Sequence, residues 1–207
     1  MCGIVGYVGR REAEPILVDG LRRLEYRGYD SAGVATIPGL GQIHLRRRAG
    51  RLGVLAKSLG ERPVPGCLGI SHTRWATHGP ATDANAHPHL SNDGRVAVVH
   101  NGVIENYDAL KKHLQNEGVV FQSDTDTEVI AQLVAYHYEG DLLDAVCRTL
   151  PLLKGTYGLA AVSPDDPDVI VGARLGSPLV LGVGAGEHFL ASDPSALVGH
   201  KIGRAHV

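Results

Sequence analysis

The spacing of hydrophobic positions changes several times along the chain, and each change marks a predicted element. Residues 2–9 are apolar and glycine-rich, which suits a short buried strand and not a helix. Between 12 and 26, Ile16, Leu17, Leu21 and Leu24 recur at helical spacing with charged residues among them, so an amphipathic helix ending at Gly28 is predicted. Strands are predicted at 32–37 and 42–47, a short helix at 52–59 and a strand at 67–74. Residues 75–92 are polar, lack a period and read as loop. A strand at 95–103 precedes three helices at 107–117, 125–139 and 142–153. Strands return at 157–162, 169–173, 179–183 and 188–191.

Strands in runs, with helices grouped between them, suit antiparallel hairpins better than repeated β-α-β units and imply an α+β fold of stacked layers. A chain of 207 residues with no internal repeat or low-complexity linker is expected to form one domain. Residues 201–207 carry no pattern that would finish a sheet, and 202–207 back-translate to the opening of a common sequencing adapter. The expected division is therefore a domain over 1–200, truncated at its C-terminal end, and a non-native tail over 201–207.

Charge and cysteine usage narrow the classes. Lys and Arg number 20 against 22 Asp and Glu, so the net charge of -2 provides no basic footprint for nucleic acid. The one dense run, Arg46-Arg47-Arg48, reads as the solvated face of a strand or turn. Cysteines at 2, 67 and 147 are too scattered for a disulfide framework or a paired-cysteine zinc site, which points to a reducing compartment. No apolar stretch would cross a bilayer, and Arg10 and Arg11 follow the apolar start, the reverse of a secretory signal. A cytoplasmic protein without membrane or nucleic-acid partners is expected.

The chemistry starts at Cys2. Aminopeptidases remove an initiator methionine before a small residue, which would leave Cys2 with a free α-amine. Such an amine titrates at about 7.7–8.0 and can take the proton of the thiol on the same residue. Taken alone, a second-position cysteine is a weak signal, since most free cysteines are small buried hydrophobes. Four segments change that: Cys2-Gly3-Ile4-Val5-Gly6, the run from Tyr26-Arg27-Gly28-Tyr29 to Gly33, the run from Gly69 through His72-Thr73-Arg74-Trp75-Ala76-Thr77-His78-Gly79, and His100-Asn101-Gly102-Val103-Ile104-Glu105-Asn106-Tyr107.

Together these resemble the class II glutamine amidotransferases, members of the N-terminal-nucleophile hydrolases, and within them the branch that aminates fructose 6-phosphate. The resemblance implies a four-layer αββα sandwich of mostly antiparallel sheets. It implies L-glutamine as substrate, Cys2 as nucleophile, and Asn101 with Gly102 as donors to the oxyanion. Arg74 would hold the glutamine carboxylate and Asp126 its ammonium. Trp75, Thr77, His78 and His87 would line the pocket, and Arg27 would stand near the thiol and favour its ionised form. No cofactor is implied. The partners implied are sugar-isomerase domains, absent from this chain, in a homo-oligomeric full-length enzyme.

Several of these residues have plainer readings. Asn-Gly after an apolar run is also the signal of a type I′ hairpin turn. Asp126 falls in a stretch where Ser123 and Asp126, or Thr125 and Glu128, have capping-box spacing. Arg27 suits the end of an amphipathic helix. His72, His78, His87, His89 and His100 fall in one region, but no metal-ligand spacing links them and no metal is expected. A non-catalytic module that retains Met1 is the rival reading from outside enzymes.

Overall fold

The structure is a computed structural model that describes residues 2–39, 41–76 and 79–206. The described residues form two antiparallel sheets packed face to face, each covered by helices. The larger contains β1 (Gly3–Val8), β2 (Ser31–Ile37), β3 (His44–Ala49), β4 (Leu68–Arg74), β9 (Val180–Gly184), β10 (His188–Ala191) and β11 (Ile202–His206), in the order β11-β9-β10-β1-β4-β2-β3. The smaller has the order β5-β6-β7-β8, with β5 at His89–Leu90, β6 at Ala97–Ile104, β7 at Gly155–Val162 and β8 at Val171–Leu175. Helices α1 (Ala13–Leu24) and α2 (Leu52–Glu61) pack against the larger sheet. On the smaller sheet lie α3 (Tyr107–Asn116), α4 (Asp126–Tyr136) and α5 (Leu142–Thr149).

Side-chain alternation assigns each strand residue to a layer. On β1, Val5 and Tyr7 join Leu17, Leu21 and Leu24 of α1, whereas Ile4 faces the space between the sheets. On β6, Val98 turns to α4 and its neighbours, while Ala97 and Val99 meet Ile4, Leu68 and Ile70 between the sheets. The inner layer thus consists of small and branched apolar residues from both sheets, the combination that lets two sheets approach closely.

Several predicted boundaries shift. The strand placed at 42–47 runs instead from His44 to Ala49, and that placed at 169–173 runs from Val171 to Leu175. Helix α5 ends at Thr149 because Pro151 has no N–H to continue the ladder, and Leu150–Leu152 tightens into a 3₁₀ turn. Residues His89–Leu90, expected as loop, pair with β6 as β5. The expectation that 201–207 finishes no sheet is also corrected: Ile202–His206 pairs antiparallel with β9 across a register shift. Its residues beyond Ile202 are exposed, and backbone pairing at a sheet edge asks little of side chains.

Leu21 is fully buried where α1 meets β1. Leu21→Ala is expected to lower unfolding free energy by about 2–5 kcal/mol, measured by chemical denaturation.

Candidate active site

The alternation that builds the inner layer also builds a cleft at one end of it. Along β4 the inward positions run Leu68, Ile70, His72 and Arg74, and along β6 they run Ala97, Val99 and Asn101. Apolar side chains thus give way to polar ones as the strands approach the edge where Cys2 precedes β1. There a cleft of roughly 280 Å³ opens, lined by Cys2, Arg74, Trp75, Asn101, Gly102 and Asp126, with Arg27 and His87 also on its wall. Ser177 and Pro178, between β8 and β9, line it as well.

Cys2 is partly covered, and the Trp75 backbone N–H donates to its Sγ at 3.2 Å. Burial pushes the thiol above its ordinary value, while the Trp75 N–H, the amino terminus of the chain and Arg74 pull it down less strongly. A thiol so placed needs a base to become a nucleophile. Arg27, expected to favour the ionised thiol, lines the cleft but directs its Nη1 to the Ser192 carbonyl at 3.3 Å and to Asp193 at 2.9 Å, tying the end of β10 to the turn after α1.

Asn101 donates from Nδ2 to the Cys2 carbonyl oxygen at 3.0 Å, so one side chain links the nucleophile's backbone to β6. The next residue, Gly102, has φ of +133°, and a Cβ there would lie 2.1 Å from the Thr156 carbonyl oxygen. Only glycine fits that combination, and it leaves backbone exposed at the cleft. The Asn-Gly pair therefore sits within β6, paired to Gly158 and Tyr157 of β7, and not in a hairpin turn.

Arg74, almost fully buried, donates to the carbonyls of Pro80 at 3.2 Å and Gly79 at 3.3 Å. Asp126 opens α4, and its Oδ2 accepts the Ile104 N–H at 2.9 Å. Of the two capping-box spacings, Thr125 with Glu128 is used in half: the Thr125 hydroxyl accepts the Glu128 N–H, whereas the Thr125 N–H goes to the Ser123 hydroxyl. The Glu128 carboxylate in turn accepts the N–H groups of Gln122 and Ser123. The helix start is thereby fixed, and Asp126 is held rigidly at the cleft.

Trp75 contributes its backbone to the thiol, while its exposed indole meets the Tyr29 ring edge-on at 5.3 Å. His87 stacks on His72 at 4.2 Å and contacts His89 at 4.8 Å. Gly33 makes room for this stack, because a Cβ there would lie 2.2 Å from the His87 carbonyl oxygen. Thr77 and His78 lie outside the described residues.

Sequence reasoning did not assign His72, Thr125, Thr127, Ser177 or Pro178 to the site. For His72 a signal was present, since it stands two positions before Arg74 on a strand and shares its face. Ser177 and Pro178 are separated from the motifs by a long stretch of chain and carried none. What the described groups can do together is attack on a carbonyl carbon by a thiol, with amide donors beside it. A guanidinium, that of Arg74, and a carboxylate, that of Asp126, line the same cleft.

Residues 61–207 match a family model described as a glutamine amidotransferase domain. Over 198 residues the chain is 58% identical to the glutamine--fructose-6-phosphate aminotransferase [isomerizing] of Symbiobacterium thermophilum, covering 96% of this chain and 32% of that protein. The chain thus spans about a third of the length of the curated relatives it matches. Among solved structures, the glutamine phosphoribosylpyrophosphate amidotransferase of B. subtilis aligns with a TM-score of 0.81 and 29% identity, over 95% of this chain and 43% of that one. A glutamine aminotransferase class-II domain protein from Silicibacter pomeroyi aligns with a TM-score of 0.63 at 19% identity, over 92% of this chain and 88% of that one, and shows the fold alone.

Burial holds the imidazoles at the back of the cleft neutral. His72 is pulled down to about 3, and His87 and His89 lie well below their ordinary value, with neighbouring cationic and imidazole groups adding to the effect. In the unfolded chain the same groups take up protons near pH ~6.5, so the unfolded state binds more protons below that pH. Stability is therefore complete above pH ~6.5 and falls on acidification, by up to about 1.4 kcal/mol per pH unit for each histidine. Urea unfolding is expected to show a lower midpoint at pH 5.5 than at pH 7.5, and a midpoint that rose on acidification would contradict this reading.

Proposed function

The chain belongs to the glutamine amidotransferase family, in the class II branch built on an N-terminal nucleophile, and from that premise we propose that it hydrolyses L-glutamine to glutamate and ammonia through Cys2. The observation that carries this reading is the convergence on one cleft of Cys2, just before β1, with Arg74 of β4, Asn101 and Gly102 of β6 and Asp126 of α4.

Removal of Met1 frees the Cys2 α-amine, which in its neutral form takes the thiol proton. The thiolate attacks the side-chain carboxamide carbon of glutamine, and the carbonyl electron pair moves onto oxygen. The Asn101 Nδ2–H and the Gly102 backbone N–H stabilise that oxyanion. Collapse breaks the C–N bond, the α-ammonium returns its proton to the departing nitrogen, and ammonia leaves a glutamyl thioester. Water, deprotonated by the amine, then attacks the thioester, and glutamate leaves as the thiol reforms. Glutamine is held by Arg74 at its carboxylate, a planar fork suited to two parallel hydrogen bonds, and by Asp126 at its ammonium. Trp75 and His87 line the pocket, Thr77 and His78 join the substrate contacts on the strength of the family resemblance, and Arg27 supports the strand ends beside the thiol.

In a longer protein the ammonia would pass to sugar-isomerase domains that convert fructose 6-phosphate to glucosamine 6-phosphate. The fructose-6-phosphate aminotransferase activity for which a relative 58% identical to this chain is named supports that acceptor. The phosphoribosylpyrophosphate amidotransferase, at 29% identity, supports the glutamine-hydrolysing half equally but the acceptor less. The proposal extends to a homo-oligomeric, cytoplasmic enzyme needing no cofactor for this half-reaction. Among the described residues no helix is long and apolar enough to cross a membrane.

Cys2→Ala is expected to lower glutamate release by at least about a thousand-fold, as loss of a nucleophile does elsewhere. Asp126→Asn, which keeps an acceptor for the Ile104 N–H, is expected to raise KM for glutamine about ten- to hundred-fold, the cost of a lost hydrogen bond to a charged group. Glutamate release by Cys2→Ala at the parent rate would refute the catalytic reading.

A further inference from the structure

Asn101 can donate to an oxyanion only if its carboxamide is turned the right way. Rotating an amide by half a turn exchanges a donor for an acceptor with almost no change of shape. Something in the fold must therefore select one orientation.

The Nε2 of His72 lies 3.1 Å from the His100 carbonyl oxygen and 3.0 Å from the Asn101 side-chain oxygen. A carbonyl oxygen is an acceptor only, so Nε2 must carry the proton. The other ring nitrogen, Nδ1, is buried without a hydrogen-bond partner among the described residues. A bare acceptor is tolerated there more readily than an orphaned N–H, which selects the same tautomer. An Nε2–H donor at 3.0 Å requires the nearer Asn101 atom to be Oδ1, not Nδ2. The far end of the carboxamide is fixed by the same logic. It lies 3.0 Å from the Cys2 carbonyl oxygen, again an acceptor only, so that end must be Nδ2. One Nδ2 hydrogen goes to Cys2, and the other is left for the cleft that Asn101 lines.

His72 is itself held without help from solvent. It is fully buried on β4, its ring is stacked on His87, and burial keeps it neutral, so its single N–H is shared between the two neighbouring acceptors, the His100 carbonyl and Asn101 Oδ1. We propose that His72 is a positioning residue for the hydrolysis: its Nε2–H locks the Asn101 carboxamide with the amide nitrogen toward the thiol, and so sets up the oxyanion donor. The inference rests on the glutamine-hydrolysing function proposed above and assigns His72 no contact with substrate.

Two replacements separate this role from packing. His72→Phe keeps an aromatic ring against His87 but removes the donor. His72→Gln places an amide N–H near the position of the imidazole Nε2–H. With this chain, kcat and KM for glutamine are measured together with the rate of Cys2 alkylation by iodoacetamide, read by mass mapping of the Cys2 peptide. Alkylation displaces iodide from a saturated carbon and forms no oxyanion, so it reports the thiol and its surroundings alone.

The expected result for His72→Phe is a fall in kcat of about ten- to hundred-fold, with KM changed less than about threefold and alkylation less than about twofold, the scale of a misdirected oxyanion donor. His72→Gln should recover most of the lost kcat. Equal loss in both variants, or an alkylation rate that falls with kcat, would overturn the positioning role in favour of plain packing. Full activity in His72→Phe would overturn it as well. A parent chain that releases no glutamate would instead overturn the functional reading, and this inference with it.

Discussion

Strict alternation of side chains along β1, β4 and β6 is the constraint on which the site depends. Each of these strands buries one face against helices and the other against the opposing sheet, so a shift of one residue would exchange both sets at once. Ile4, Ile70 and Val99 fix the register by filling the layer between the sheets, where each contributes on the order of 1.5–3 kcal/mol of burial. Cys2, His72 and Asn101 lie two positions further along the same faces. The apolar middle of the layer therefore sets where the polar end points, and the catalytic groups inherit their directions from the core.

Burial acts in opposite senses on the groups at that polar end. It keeps His72, His87 and His89 uncharged, and leaves His72 a single-proton donor instead of a titrating base. The same burial disfavours the Cys2 thiolate more than the Trp75 N–H and Arg74 favour it. With the nearby imidazoles committed to hydrogen bonds or held neutral, the group chemically suited to take the thiol proton is the α-amine of Cys2 itself. That makes removal of Met1 the step on which the proposed activity turns.

Much of this was legible in the sequence because the elements have distinct periods and the motif residues cluster. The α+β layering, the helices beginning near 107, 125 and 142 and the strands on both sides of them follow from spacing alone. Asn101-Gly102 was ambiguous from the dipeptide, since the same pair closes hairpins, and pairing with β7 resolves it. Residues His89–Leu90 were hidden because a two-residue strand has no period to detect. The β11 pairing was hidden because an exposed edge needs no apolar pattern. The link from His72 to Asn101 joins residues on different sheets, and no local pattern encodes a contact across a layer.

The central claim is that Cys2, and neither of the more exposed cysteines, is the nucleophile of a folded glutamine pocket. Cys67 and Cys147 are both exposed, whereas Cys2 is partly covered, so a reagent guided by access alone would label them first. The most direct test is the intact mass of the chain before and after reaction with a diazo-ketone analogue of glutamine, with the adduct located by peptide mapping. Loss of Met1 and a single adduct on Cys2, suppressed by excess glutamine, is the predicted result. Retention of Met1, or labelling spread over Cys67 and Cys147, would contradict the account.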